Sequence, residues 1–219
     1  MEANCSPFKI ILGSSSIARR KILAEMGYEF TVMTADIDEK SIRKDKPEEL
    51  VMALAEAKCD VTQVLTSFHG TSCQAEAISQ KIPLGDYIKD ADPTLLITSD
   101  QVVVYGDAVR EKPSSKEEAR EFLKGYSGGH AATVGSVSVT NLKTGSRKGE
   151  WDRVEIFFHE IPDDIIEKMV EEGIVLNVAG GLIIEHPLIL PFVKQVVGTT
   201  DSVMGLPKAL TKKLIKEVL

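Results

Sequence analysis

With 219 residues, 43% of them hydrophobic, the chain is long enough to bury a substantial core, either as one α/β domain or as two lobes sharing a sheet. Its 33 acidic and 26 basic residues leave a net charge of -7, and no basic cluster alternates with aromatics, so duplex nucleic acid is excluded as the expected partner. Three cysteines (Cys5, Cys59, Cys73) without C-x-x-C spacing indicate neither a zinc site nor a disulfide framework, and such a sparse, odd set suits a reducing compartment.

Met1 to Cys5 lack the basic flank and apolar stretch of a secretory signal, and no apolar run is long enough to span a bilayer. The expectation is a soluble, cytoplasmic protein.

The chain opens on Phe8 to Leu12, an apolar run that stops at Gly13-Ser14-Ser15-Ser16 before a doubly basic, helix-like pattern from Ile17 to Leu23. This reads as a buried strand feeding a helix start, with Ser16 as N-cap and Gly27 as the stop. Unpaired N–H groups in a first helical turn attract anions, and small residues such as Ser14 and Ser16 let a phosphate come close. Arg19 and Arg20 are either solvated surface cations or forked phosphate donors, and their position at the positive end of a helix favours a bound anion. Walker and G-x-G-x-x-G patterns are both missing here, which sets aside the P-loop and Rossmann readings.

Phe30 to Met33 reads as a second strand leading into the acidic segment Asp36-Ile37-Asp38-Glu39, which is either a solvated loop or a source of metal-binding carboxylates. Pro47 opens a helix with Leu50, Val51, Leu54, Ala57, Val61 and Leu65 at helical spacing; Lys58 lies at the edge of that stripe, as a surface lysine or, beside a cleft, a phosphate ligand. Residues 66–93 break the regularity and read as an insertion or long loop, with a short helix over Ala75 to Ile82.

Thr94 to Tyr105 is a continuous apolar run interrupted by Asp100 and Gln101. A strand buried on both faces tolerates such a pair only where it meets a cleft, a metal or hydrogen-bond partners. Asp100 is therefore a candidate to bind metal or activate water, against the competing reading of a buried structural carboxylate. Gly106-Asp107 is a turn. Lys112, held extended before Pro113, precedes a helix for which Ser114 and Glu117 have capping-box spacing.

Ala131 to Leu142 and Trp151 to His159 form an expected antiparallel hairpin, followed by a helix from Pro162 to Glu172 that stops at Gly173. Ala179 to Pro187 places the ionisable pair Glu185-His186 after an apolar run, and Ser202 to Pro207 turns into a C-terminal helix burying Leu210, Leu214, Ile215 and Val218. The four histidines share no ligand spacing.

Taken in order, Leu12-Gly13-Ser14-Ser15-Ser16 with Arg19-Arg20, Asp38-Glu39, Leu54-Ala55-Glu56-Ala57-Lys58, Ser99-Asp100-Gln101, Glu111-Lys112-Pro113, Ser127-Gly128, Ala179-Gly180 with Glu185, and Gly205-Leu206-Pro207 resemble the Maf family of nucleoside triphosphate pyrophosphatases. The resemblance covers nearly the whole chain apart from 66–93. It implies a single Maf-like α/β domain over 1–219, with an elongated mixed β-sheet, flanking helices and two lobes around a central cleft, as in the inosine triphosphate pyrophosphatase fold. It also implies hydrolysis of a nucleoside triphosphate to a monophosphate and pyrophosphate with a divalent cation, Mg2+ or Mn2+.

Carried over by position, Asp100 would act on water and, with Glu39, hold the metal, while Ser14, Arg19, Lys58 and Lys112 would bind the polyphosphate; Ser16 and Arg20 are phosphate-binding candidates from the strand-to-helix junction itself. Ala18, Gln101 and Glu185 fall at places that distinguish branches of the family. Gln101 and Glu185 resemble the branch acting on 7-methyl-GTP, and a carboxylate at 185 suits the N–H donors of a guanine edge. Ala18 and Ile17 depart from the usual larger residue and proline. The alternatives are dTTP/UTP hydrolysis and a catalytically silent nucleotide-binding module. No membrane or nucleic-acid polymer is expected as partner, and the apolar face of the C-terminal helix is compatible with a homodimer.

Overall fold

The computed structural model describes residues 7–34, 37–64 and 90–219. The expected helix over Ala75 to Ile82, and all of the 66–93 segment but its last four residues, lie outside them.

Seven strands of the described residues form one open mixed sheet: β1 (Lys9–Leu12), β2 (Thr31–Val32), β3 (Thr94–Tyr105), β4 (Ala108–Arg110), β5 (His130–Asn141), β6 (Arg147–Phe158) and β7 (Val193–Val197). The order is β2-β1-β3-β5-β6-β7, with β4 paired beside β3. Parallel pairing joins β1 to β2 and β3; the other pairings are antiparallel. Among the described residues six helices flank it: α1 (Ile17–Glu25), α2 (Pro47–Val64), α3 (Lys116–Tyr126), α4 (Asp163–Glu172), α5 (Thr200–Val203) and α6 (Lys208–Val218).

The central strand β3 is buried along nearly its whole length, as its apolar run predicts. Leu96, Val102 and Val104 pack with Leu50, Val51, Leu54 and Cys59 of α2 on one face. Leu95 and Ile97 pack with Leu23 of α1 and with Leu214, Ile215 and Val218 of α6 on the other. Each aliphatic side chain so buried contributes about 1.5–3 kcal/mol. Two polar bonds set the register of α2 on the sheet, Thr98 Oγ1 to the Ala55 carbonyl (2.8 Å) and Ser136 Oγ to that of Val51 (2.6 Å).

One detail of the sheet places the site. Strand β1 covers β3 only from Thr94 to Ile97, and β4 covers it only from Val103 to Tyr105. Between them, Thr98 to Val102 keep a strand neighbour on the β5 side alone. The opening lies at the C-terminal end of the parallel strand β1, the end at which open α/β sheets bind ligands.

The sequence expectations hold for β1, α1, α2, β3, the β5–β6 hairpin, α4 and α6, and need correction at three points. The N-cap of α3 is Ser115 rather than Ser114: Ser115 Oγ accepts from the Glu118 N–H at 3.1 Å, and the Glu118 carboxylate accepts from the Ser114 N–H and hydroxyl at 2.6 and 2.7 Å. Strand β6 begins at Arg147 instead of Trp151, because its first turn-proximal residues are charged and show no apolar alternation. Strand β7 is an edge strand that buries little and leaves no period-two signal in the sequence.

Replacing Ser115 with Ala is expected to lower the stability of the folded protein by about 1 kcal/mol, the usual cost of a lost N-cap. Urea denaturation measures it. A smaller loss for Ser115→Ala than for Ser114→Ala would reverse the assignment.

Candidate active site

Asp100 leaves β3 on the face covered by α2, next to Thr98 and Val102. Its side chain is only 12% exposed, and burying a lone carboxylate there costs several kcal/mol unless a cation meets it. Lys58, three residues beyond Ala55 on α2, meets it: Nζ donates to Asp100 Oδ1 at 2.9 Å. The same nitrogen lies 2.9 Å from Glu39 Oε1, so one ammonium holds two carboxylates from distant parts of the chain. Glu39 is presented by a single 3-10 turn, Glu39–Ser41, whose N-cap Asp38 accepts from the Lys40 N–H.

Partial burial alone would raise the Glu39 carboxyl. Lys58 by charge and hydrogen bond, with Lys112 and Arg19 further off, outweighs that and holds it below the usual range. Lys112 is exposed at a bend after β4, not on an extended stretch as expected, and reaches the site as a field. Arg43 connects these two segments. Its Nη1 donates to the Glu39 carbonyl at 3.3 Å and to Glu111 Oε1 at 3.2 Å, beside Lys112.

Arg19 approaches from the other side of the opening. Ser16 caps α1, accepting from the Arg19 N–H at 3.4 Å, which fixes the first turn. Gly13 is required just before it, since a Cβ there would come within 2.7 Å of Thr98 Cγ2. The Arg19 guanidinium then donates from Nη1 to the Ser99 carbonyl (2.8 Å) and Ser14 Oγ (3.3 Å), and from Nε to the Gly205 carbonyl (3.0 Å). Burial pulls its proton affinity below the ordinary value, while Asp100 and Glu39 hold it up. It remains a cation at neutral pH. Nη2 makes no hydrogen bond among the described residues.

Ser14, Arg19, Glu39, Lys58 and Asp100 are therefore brought together, with Lys112 at the rim. Of the remaining expected residues, Ser16 joins it through the Arg19 N–H, and Arg20, Ala18, Glu185 and Gln101 make no side-chain bond to it among the described residues. Arg20 is half-buried, and its buried Nε has no hydrogen-bond partner among the described residues. Ala18 is half-buried on α1. Glu185 is exposed on the turn after Ile184, with no ion pair or hydrogen bond among the described residues. Gln101 points to the face opposite Asp100 and donates from Nε2 to the Val203 carbonyl at 2.7 Å. Two contributors were not singled out as site residues from the sequence. The Ser99 carbonyl and Gly205 hold Arg19, and main-chain acceptors carry no residue-type signal.

Among the described residues no three His, Cys, Asp or Glu side chains gather closely enough to cage a metal. Glu39 and Asp100 nonetheless share one nitrogen, and each keeps its second oxygen outside that pair of bonds. A small divalent cation bound by one or two carboxylates and completed by water and phosphate oxygens suits such a donor set.

A Maf-like protein family model matches residues 9–218. The chain belongs to the Maf-like family. The 7-methyl-GTP pyrophosphatase of Dictyostelium discoideum is 37% identical over 95% of this chain and 96% of its own. The dTTP/UTP pyrophosphatases of Syntrophus aciditrophicus and Desulforamulus reducens are 29% and 28% identical, over 96% and 90% of this chain and 90% of each relative. The ion cluster thus lies within a Maf-like domain spanning the described chain.

The depressed Glu39 value ties this cluster to pH. The Glu39–Lys58 pair stabilises the fold fully above the unfolded carboxyl value of about 4.3 and stops doing so as pH falls through the lower folded value. With Glu39 half-exposed, solvent screening limits the contribution to about 0.5–1 kcal/mol. Glu39→Gln is expected to be the less stable protein near neutrality and to converge with the wild type as pH falls through the lowered Glu39 value, where both side chains become neutral. Urea midpoints across that range measure this; a gap that widens on acidification contradicts it.

Proposed function

We propose that this Maf-like protein is a metal-dependent nucleoside triphosphate pyrophosphatase of the cytoplasm, acting on a modified guanine nucleotide of the 7-methyl-GTP kind. The observation that carries the reading is the Glu39–Lys58–Asp100 cluster facing the buried Arg19 guanidinium across an opening in the sheet. Two carboxylates with three cations around them fit a triphosphate and its counter-ion better than any uncharged substrate.

Water adds to the α-phosphorus and gives its proton to Asp100. The bond from that phosphorus to the α–β bridging oxygen breaks, and its electron pair leaves on pyrophosphate. Lys58 keeps the Asp100 carboxylate oriented for the incoming water. Arg19 Nη2 and Lys112 meet the phosphate oxygens, where spreading negative charge needs preorganised donors. Glu39 and Asp100 would hold a divalent cation, which supplies charge neutralisation on the phosphates.

The guanine preference rests on the 37% identical relative and on Glu185, a free carboxylate that can accept from two N–H donors on one base edge. Hydrolysis of dTTP and UTP is the second reading, favoured by the names of the relatives at 29% and 28% identity.

Pyrophosphate release from a panel of nucleotides, with Mg2+, Mn2+ or chelator, tests both. Asp100→Asn is expected to lower kcat at least about a hundredfold. The variant keeps its fold, because Lys58 retains Glu39. Turnover comparable to the wild type would remove Asp100 from the chemistry. Glu185→Gln is expected to weaken guanine-type substrates about tenfold relative to pyrimidine ones. An unchanged ratio points to the dTTP/UTP reading.

A further inference from the structure

Glu185, on which the guanine preference rests, does little to hold itself in place. Its side chain is exposed, and neither its carboxylate nor its main chain makes a hydrogen bond among the described residues. Its chain neighbours hold it instead. On one side Ile184 is 3% exposed, in the core that α3 and α4 share with the sheet. On the other side stands His186, whose polar groups are all engaged.

The His186 N–H donates to the Ile183 carbonyl at 3.3 Å, and its own carbonyl accepts from the Ile189 and Leu190 N–H groups at 2.9 and 2.8 Å. The ring is only 18% exposed. Its Nδ1 accepts from the Leu188 N–H at 3.3 Å. An acceptor at Nδ1 leaves the ring proton on Nε2, the nitrogen that lies 3.1 Å from Glu172 Oε2. Glu172 ends α4, where the helix dipole disfavours an anion, and a facing N–H offsets that. One side chain thus fastens the 183–190 turn to the end of a packed helix.

We infer that His186 is a positioning residue for Glu185: by tying the 183–190 turn to Glu172, it holds the Glu185 carboxylate in the orientation that accepts a guanine edge. The kinetic consequence rests on the guanine reading of Glu185, whereas the order of the turn can be observed without substrate.

The test compares the full chain with His186→Ala, which removes both ring contacts, and with His186→Gln, whose amide N–H can still reach Glu172. In ligand-free protein the 15N order parameter of the Glu185 amide is expected to be about 0.85 in the wild type and in His186→Gln, and below about 0.6 in His186→Ala. With a guanine-type and a uracil-type nucleotide, His186→Ala is expected to lower kcat/KM about tenfold on the guanine substrate alone, while His186→Gln keeps the wild-type ratio within about threefold. Because His186 acts through Glu185, the double variant His186→Ala/Glu185→Gln is expected to lose no more than Glu185→Gln by itself. A merely structural histidine would lower both substrates alike and add to the loss.

An ordered Glu185 in folded His186→Ala overturns the inference. So does a multiplied loss in the double variant, or a guanine preference that Glu185→Gln reduces and His186→Ala does not. If Glu185→Gln leaves the ratio unchanged, or the wild type hydrolyses neither nucleotide, the guanine reading fails by itself, and the Glu185 order parameter still decides whether His186 holds the turn.

Discussion

A carboxylate in the middle of a strand buried on both faces has to be answered by a cation, and in this protein that requirement joins α2 to β3. Lys58 can bond Asp100 only if α2 crosses the sheet at one height and one rotation. The neighbouring contacts, Thr98 with Ala55 and Ser136 with Val51, hold that placement with polar bonds inside an apolar layer. Removing either member of a buried pair leaves the other uncompensated, which costs about 3–5 kcal/mol. Lys58 is unusual in having two anionic partners, so the interaction that anchors the helix also draws the Glu39 turn to the same place.

The sheet leaves room for this cluster because two strands share one edge of β3 without meeting. Where β1 stops and β4 has yet to begin, the carbonyl of Ser99 has no strand partner, and the Arg19 guanidinium occupies the position a neighbouring N–H would take. A cation that completes a β-ladder is held more firmly than one on a flexible surface stem. That rigidity is what transition-state stabilisation of a phosphoryl group demands, since donors fixed in advance need no reorganisation. Arg19 thus serves the fold with three of its guanidinium N–H bonds given to the protein, and in the proposed reaction it would serve the chemistry as well.

Membership of the Maf-like family accounts for why these pieces coexist in one chain. The geometry adds how they divide the work. Lys58 and Arg19 are held by protein acceptors, whereas Lys112 remains exposed and its charge helps to lower the Glu39 carboxyl. The segment after β4 is itself tethered. The Glu111 carbonyl accepts from the Gly180 N–H at 2.8 Å, and the Tyr126 hydroxyl donates to the Gly180 carbonyl at 2.9 Å, so the turn preceding Glu185 is tied to the stretch preceding Lys112.

Local pattern in the chain was enough to find the strand-to-helix junction at Gly13 to Ser16, the unbroken run of β3 with its misplaced carboxylate, and the periodic stripe of α2, because hydrophobic spacing and cap chemistry are properties of adjacent residues. It was too coarse to separate Ser114 from Ser115 as a cap, and blind to β7, whose edge position buries too little to leave a pattern. The pairing of Lys58 with both Asp100 and Glu39, and the bond of Gln101 to Val203 on the opposite face of the sheet, were decided by tertiary structure alone. Those contacts span 19 to 102 positions of chain, and their partners are set by how helices and strands pack rather than by any spacing along the sequence.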